Sequence, residues 1–143
     1  MYRLTILYAP EDEEYAGPAK QLGDAFSELG LDVVVKAAKN AGIPDILAAD
    51  IVIFGSSVLK PYLHPHFAEM VRAFKGINLA GKFAGFLSYG DNNAPKLFRK
   101  ALRDTDIFEF RRDLVISSEG AKPAELMKWA KELYEKCEEG IYE

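Results

Sequence analysis

Four consecutive acidic residues are the feature of this sequence with the clearest chemical consequence. They follow an apolar run and precede an amphipathic helical pattern, and they are Glu11, Asp12, Glu13 and Glu14. In many α/β proteins such a strand-to-helix junction binds a phosphate, because backbone N–H groups and the positive end of the helix dipole meet there. Ionised carboxylates only accept hydrogen bonds and repel anions, so this junction should disfavour a phosphate dianion.

The acidic run has two interpretations that need no phosphate. Carboxylates near the first turn of a helix offset the helix dipole, and each stabilises the helix by about 0.3–1 kcal/mol. The same carboxylates could instead bind a cation, but four acids in a row rarely all point inward. We therefore expect the loop to cap its own helix and to occupy the place of a phosphate.

Aromatic, hydroxyl and imidazole side chains supply the other candidates. Tyr62 and Tyr89 follow predicted strands, where an aromatic ring can either stack on a planar ligand or close the top of the sheet, and the sequence leaves both roles open. The Ser56-Ser57 pair lacks the G-x-S-x-G context of a hydrolase nucleophile. His64-Pro65-His66 has poor metal-ligand spacing without a third partner. The sequence thus predicts neither a catalytic nor a metal-binding residue.

The spacing of apolar residues predicts five repeats of a strand followed by a helix. Continuous apolar runs, typical of strands buried on both faces, predict strands near 3–8, 32–36, 50–55, 82–88 and 112–117. Such alternation favours an α/β fold with one parallel sheet, helices on both faces and a single domain over 1–143. Binding loops of such sheets lie at the carboxyl ends of the strands, which here means 9–16, 55–63 and 88–94.

Pro18 conflicts with the apolar pattern of the first helix. A proline deep inside a helix lacks a donor and clashes with the preceding turn. We therefore predict that the regular helix starts near Ala16 or Gly17, with Pro18 in its first turn and the acids in the loop before it.

The composition excludes several classes of protein. Hydrophobic residues make up 49% and charged residues 28% of 143 residues, and the net charge is −4. No apolar run approaches the ~20 residues of a membrane helix, and a predicted strand at the very start leaves no room for a signal peptide. The single cysteine, Cys137, falls on the apolar face of the last helix and fits a reducing compartment. These features favour a cytoplasmic protein without a membrane partner. Because no Lys/Arg stripe is evident, we also expect no nucleic-acid partner.

Three stretches of the chain resemble the flavodoxin family. "ADIVIFGSS" (49–57) looks like the third strand and the loop on one flavin face, and "LAGKFAGFLSYGD" (79–91) looks like the fourth strand and its loop. "RDLVISSEGAKPAELMKWAKEL" (112–133) resembles the closing strand and helix. The resemblance implies a flavodoxin-like three-layer α/β/α fold, with a five-stranded parallel sheet in the order 2-1-3-4-5. It also implies bound FMN used in one-electron transfer.

Ten residues match the two loops that flank the flavin ring in this family. By resemblance they are candidates for cofactor binding: Ser56, Ser57, Val58, Leu59, Tyr62, Ser88, Tyr89, Gly90, Asp91 and Asn92.

The phosphate end of the site departs from the family. Members carry a T/S-x-T-G-x-T-like loop after the first strand, whereas this chain has Ala9-Pro10 followed by the acids, without a Ser or Thr. Asp91 stands where members often carry an aromatic residue that stacks on the flavin. The family's phosphate-binding residues therefore have no counterpart here, and FMN binding should be weak or lost.

A second resemblance, to TIR domains, covers the first half of the chain. "LYAPEDEEYA" (7–16) followed by "GLDVVV" (30–35) looks like the start of such domains, and Glu69 falls near the position of the glutamate that cleaves NAD. The fourteen residues from Lys36 to Ala49 are short for a TIR domain, however, and Glu69 lies on the polar side of its helix. We expect Glu69 to be solvated rather than catalytic.

The sequence therefore favours an electron carrier or binding protein over a catalyst. The first interpretation is a flavodoxin-like electron-transfer protein with an altered, acidic phosphate loop, acting with a redox protein partner or on a small planar ligand. The second is a cofactor-free binding or regulatory module on the same fold. A TIR-like NAD-cleaving enzyme is the third alternative.

Overall fold

The computed structural model describes residues 2–59, 61–90, 93–117 and 119–140. Its elements follow one another in the order β1 (Arg3–Ala9), α1 (Glu13–Glu28), β2 (Asp32–Ala37), α2 (Ile43–Leu47), β3 (Ile51–Ser56), β4 (Val58–Leu59), β5 (Tyr62–Leu63), α3 (Ala68–Ala73), β6 (Phe83–Tyr89), α4 (Asn93–Ala101), β7 (Phe108–Glu109), β8 (Leu114–Ile116) and α5 (Pro123–Glu138). Across these ranges, no helix is both long enough and apolar enough to cross a bilayer.

The main sheet is parallel and has β1 near its centre. Its order is β2-β1-β3-β6-β7, and β8 also pairs with β6. Helices α1 and α5 cover one face, whereas α2, α3 and α4 cover the other. Burial on both faces explains why β3 is continuously apolar. The predicted fold class and strand order are confirmed, with the edge strand divided into two segments.

The fifth strand differs from the prediction, which placed one strand at 112–117. Phe83 pairs with Phe108, and Leu87 pairs with Leu114. The chain therefore advances six residues along the edge strand while it advances four along β6. The bulge between the two segments is held by Arg99 of α4. Its guanidinium donates to the Phe110 carbonyl at 2.9 Å and to the Asp113 carboxylate at 2.7 and 3.1 Å. A side-chain contact from the preceding helix α4 thus shapes the edge strand. The apolar pattern of the strand itself does not encode this bulge.

Helix α1 begins at Glu13, and the predicted start near Ala16 or Gly17 is wrong. Pro18 lies inside the helix and is buried. A proline there removes one intrahelical hydrogen bond, to the Glu14 carbonyl, and burial of its ring in the core helps to offset that loss. Glu13 and Glu14 therefore belong to the first turn of the helix itself.

Gly85 of β6 allows helix α5 to lie close to the sheet. A Cβ atom at position 85 would be 2.7 Å from Leu133 Cδ1 and 2.9 Å from Trp129 Cη2, closer than real Cβ contacts come. The Trp129 ring is buried in this space, and its Nε1–H donates to the Arg112 carbonyl at 2.8 Å. The glycine that weakens β6 as a strand is therefore what seats the closing helix.

We expect Gly85→Ala to lower the free energy of unfolding by about 1–3 kcal/mol, because the added methyl group overpacks the contact with Trp129 and Leu133. Gly17→Ala is the matched control on α1. A Cβ there meets only the flexible side chain of Glu13, at 3.1 Å from Oε1. It should raise stability by about 0.5–1 kcal/mol through helix propensity. Urea unfolding curves measure both changes, and equal effects of the two substitutions would contradict this account.

Candidate functional site

The predicted loops meet at the carboxyl edge of the sheet. Ala9 and Ser56 are register partners at the ends of β1 and β3, and the Ser57 N–H donates to the Ala9 carbonyl at 3.0 Å. Leu87 pairs with Gly55, which places Ser88 beside Ser56 one position further along. The structure therefore brings the described parts of these loops together, as the topology predicts: 9–16, 55–59, 61–63 and 88–90.

A two-stranded hairpin, β4–β5, projects from this edge after β3. The buried Ser56 hydroxyl accepts the His64 N–H at 3.0 Å and donates to the Ser57 carbonyl at 2.7 Å, so it fastens the base of the hairpin. At the tip, the side chains of Leu59 and Tyr62 are 66% and 71% exposed. Ser56 thus has a structural role, whereas Leu59 and Tyr62 present an apolar and an aromatic surface to solvent.

Ser88 carries a buried hydroxyl with no hydrogen-bond partner. The residue is 1% exposed, and no described residue bonds its Oγ. It shares the sheet face of Phe86 and so points toward the side of α3 and α4. An unpaired hydroxyl in such a place is one to which a ligand or water can bond. Asp91 and Asn92, the next candidates along the chain, lie outside the described residues.

Tyr89 points to the opposite face from Ser88 and packs against Tyr15 of α1. The two rings meet edge to face, with centroids 4.6 Å apart, and the Tyr89 hydroxyl donates to the Tyr15 carbonyl at 3.1 Å. Burial raises the pKa of the Tyr89 phenol, and the nearby Tyr15 and Tyr8 raise it further. Placed in this way, Tyr89 closes the top of the sheet, which is the second of its two predicted roles.

Gly90 makes the turn that follows Tyr89. Its φ of +87° lies in the left-handed region that favours glycine, and its N–H donates to the Ile116 carbonyl at 3.0 Å. This bond ties the loop after β6 to the edge strand, and the exposed backbone of Gly90 remains on the rim of the candidate site.

The acidic run wraps the N-terminus of α1. Glu11 forms an ion pair with Lys39, which follows β2. The Asp12 carbonyl accepts the N–H groups of Tyr15 and Ala16, both at 2.9 Å, while the Asp12 side chain makes no capping hydrogen bond. The main chain thus begins the helix without help from the Asp12 carboxylate.

The negative charge of these acids affects the pKa of the neighbouring Tyr15 phenol. The pKa of the Tyr15 phenol is raised by burial first, and then by the Glu14 and Asp12 carboxylates. Glu13 and Glu14 stand in the first turn, where a carboxylate offsets the helix dipole. This position agrees with the capping interpretation of the acidic run.

The two ends of the site differ in whether they fit a flavin nucleotide. At the phosphate end, Pro10 has no N–H, and the four acidic side chains are acceptors that repel a dianion. This donor set does not fit a phosphate. At the ring end, the exposed Tyr62 and Leu59 fit a flat, partly apolar ring. The side chains at one end can contact a planar ring, whereas the side chains at the other end offer a phosphate no hydrogen-bond donor.

The remaining chemical candidates do not form a second site. His64 and His66 stack edge to face at 4.3 Å, and the His66 N–H occupies His64 Nδ1 at 3.1 Å. In the part of the chain that the structure describes, no group of three His, Cys, Asp or Glu could hold a metal. Glu69 is exposed on α3, and Cys137 is buried, the latter as predicted.

Sequence reasoning missed two residues that shape the site. Tyr15 packs on Tyr89, and Lys39, the partner of Glu11, belongs to no sequence pattern. The only sequence signal for the Tyr15–Tyr89 pair is that two tyrosines border loops which the topology brings together.

Comparisons with known proteins agree on the fold. No protein-family model matches this chain, and no curated protein matches its sequence. A flavodoxin from Streptococcus pneumoniae matches with a TM-score of 0.79 at 23% identity, over 94% of this chain and 99% of that chain. Flavodoxin 2 from Bacillus cereus matches with a TM-score of 0.82 at 19% identity, over 94% and 99% of the two chains.

A third match is a flavodoxin from Fusobacterium nucleatum, in a structure bound to flavin mononucleotide. Its TM-score is 0.74 at 13% identity, over 95% of this chain and 99% of that chain. This chain therefore has the flavodoxin-like fold over nearly its whole length, which confirms the resemblance in its sequence.

We expect Tyr89→Phe to lower the free energy of unfolding by about 0.5–1.5 kcal/mol, because it removes the hydrogen bond to the Tyr15 carbonyl. Tyr62→Phe is the control, since that side chain is exposed, and it should change stability by less than about 0.5 kcal/mol. Chemical denaturation of both variants measures the difference. If Tyr89→Phe has no effect, the pair does not close the sheet as described.

We expect Glu13→Gln with Glu14→Gln to lower stability by about 0.5–2 kcal/mol, because two anions leave the positive end of the α1 dipole. The control is Asp24→Asn with Glu28→Gln near the other end of the same helix. It makes the same change in net charge and should leave stability unchanged or raise it. A more stable Glu13/Glu14 variant, measured by denaturant melts, would show that the acids repel one another and do not cap the helix.

Proposed function

We propose that this chain is a flavodoxin-like protein whose site accepts a planar, uncharged ring such as that of a flavin and disfavours the phosphate of FMN. The observation that carries the proposal is the acidic start of α1. Carboxylates occupy the helix N-terminus where a phosphate would need donors. When bound, a flavin would supply one-electron transfer, and the protein would pass electrons to or from a redox partner at the carboxyl edge.

The electrostatic penalty on a phosphate is large enough to matter. Two like charges about 7 Å apart repel by ~0.6 kcal/mol at the dielectric of water and by ~2.4 kcal/mol at an effective dielectric of 20. Glu13 and Glu14 have no ion pair among the described residues, whereas Glu11 is partly neutralised by Lys39. Several such repulsions and the missing hydroxyl donors would together cancel the affinity that a phosphate normally adds.

The ring end supports a ligand of the flavin class. The hairpin that carries Leu59 and Tyr62 is held at its base by the Ser56 hydroxyl, so the exposed tip is attached to a rigid sheet. The unpaired Ser88 hydroxyl lies one register position from Ser56. A polar edge of a planar ligand could bond to it after a small opening of the loops.

The cofactor-free module is the second candidate, and one observation favours it. The Tyr15–Tyr89 pair closes part of the carboxyl edge, with the two rings in contact and the Tyr89 hydroxyl donating to the Tyr15 backbone carbonyl. A protein that no longer bound a ring would gain stability from such a closure. Under this alternative neither flavin binds.

A fluorescence titration with riboflavin and FMN tests the proposal. Both ligands present the same ring, and only FMN carries the phosphate. We expect riboflavin to bind at least as well as FMN, and added salt to weaken the penalty on FMN by screening. The variant that combines Glu11→Ser, Asp12→Thr, Glu13→Gly and Glu14→Asn should lower the Kd for FMN about tenfold or more. A tenfold change in Kd corresponds to ~1.4 kcal/mol of binding free energy. The affinity of this variant for riboflavin should change little.

The control neutralises four exposed acids elsewhere, with Asp24→Asn, Glu28→Gln, Asp104→Asn and Glu135→Gln. It changes the net charge equally and should leave the preference between the two ligands unaltered. Clearly tighter binding of FMN than riboflavin by the unmodified protein would overturn the proposal. Failure of both ligands to bind would favour the cofactor-free module.

A further inference from the structure

A groove of about 640 Å³ lies between helix α4 and the edge strand β7, away from the candidate flavin site. β7 pairs with Phe83 and Ala84 at the start of β6, whereas the loops of the candidate site follow the carboxyl ends of the strands. Ile107 and Phe108 form the apolar part of the groove lining. The groove is therefore a separate surface at the opposite end of the sheet.

The groove is strongly basic although the chain as a whole is acidic. Lys96 and Lys100 lie one turn apart on α4, Arg103 lies just beyond its end, and Arg111 borders the groove from the bulge. No Lys/Arg stripe is evident in the linear sequence, but the fold gathers these cations along one groove. The helical spacing of "KLFRKALR" (96–103) is the signal that was missed.

Four of the five cations in the groove are available to a ligand. Arg99 is occupied by Asp113, Glu109 and the Phe110 carbonyl. Within the described ranges, by contrast, no carboxylate lies within ion-pair distance of the exposed side chains listed here: Lys96, Lys100, Arg103 and Arg111. The other acid lining the groove, Asp106, is exposed. With five cations and two acids in its lining, the groove has a surplus of positive charge.

The edge strand beside these cations offers backbone hydrogen bonds. The Phe108 N–H donates inward to the carbonyl of Lys82, just before β6, at 3.0 Å, and the Phe110 N–H donates to the carbonyl of Ala84 in β6 at 2.8 Å. The backbone of a strand alternates, so the N–H and C=O of Glu109 between them face outward from the sheet. Such an edge is a template for an added strand.

From this arrangement we infer that the α4–β7 groove docks an extended acidic segment of a partner protein, paired with the outer edge of β7. Lys96 to Arg103 span about 10 Å along the helix direction. Carboxylates on alternate residues of an extended segment lie about 7 Å apart, so two or three of them would match this span. The unpaired lysines are flexible point charges, which suit a row of carboxylates better than one fixed phosphate.

A long nucleic acid fits this surface less well than a short acidic segment. The remainder of the chain is negative, with a net charge of −4, and would repel a polyanion that extends beyond the groove. A peptide whose acidic residues are confined to a few positions avoids that repulsion.

The test is fluorescence anisotropy with the full chain and a labelled peptide of alternating glutamate and valine. We expect salt-sensitive binding that Lys96→Gln with Lys100→Gln weakens about fivefold to tenfold, at the upper end for exposed charge pairs. Lys128→Gln with Lys131→Gln on α5 is the matched control, because those lysines are exposed and lie outside the groove. It should change the affinity by less than about twofold.

Two further probes separate strand pairing from general anion binding. A peptide of the same charge with alternate N-methylated residues should lose most of its affinity, because it cannot pair with β7. Equal binding of this peptide, or equal loss in the α5 control, would overturn the inference. The inference would also be overturned if inorganic triphosphate or a single-stranded oligonucleotide displaced the labelled peptide at a lower concentration of negative charge than the unlabelled peptide requires.

Discussion

The close packing of Trp129 on Gly85 is the contact on which the rest of this structure depends. It lets α5 lie against β6, and the Trp129 ring then meets Phe26 of α1 and Phe110 beside the edge strand. Its Nε1–H holds the Arg112 carbonyl, so the helix also fixes the chain that leads into β8. A single aromatic side chain thereby sets the positions of two helices and one strand around the sheet, and with them the start of α1 beside the candidate site.

Once α1 is fixed, its acidic first turn acts in two ways at the same place. The carboxylates of Glu13 and Glu14 lie where the helix dipole favours negative charge, and under the proposed function the same charges would oppose a phosphate at that point. The two effects have one physical origin, so a change that improves phosphate binding should also weaken the helix start. Under the proposed function, the flavodoxin-like sheet keeps its architecture while the phosphate end of the site has a different ligand preference.

Much of the fold could be predicted because it follows from local patterns. Buried two-faced strands read as continuous apolar runs, and their alternation with helices implies a parallel sheet. The failures have tertiary causes. Arg99 divides the edge strand, burial accommodates Pro18 inside α1, and β6 extends one residue further than predicted, to Tyr89. That extra residue determines that Tyr89 points toward Tyr15, which sequence spacing alone left open.

The two ends of the molecule carry charge of opposite sign, so the protein has an electrostatic polarity that its net charge does not reveal. The acidic first turn of α1 lies at the carboxyl edge of the sheet, while lysines and arginines line the groove beside β7 at the other end. Ligands of opposite charge would thus be sorted to opposite ends, because each end attracts what the other repels. An acidic segment held at the α4–β7 groove would leave the carboxyl edge uncovered. The same domain could then be tethered through one end and exchange electrons or ligands through the other.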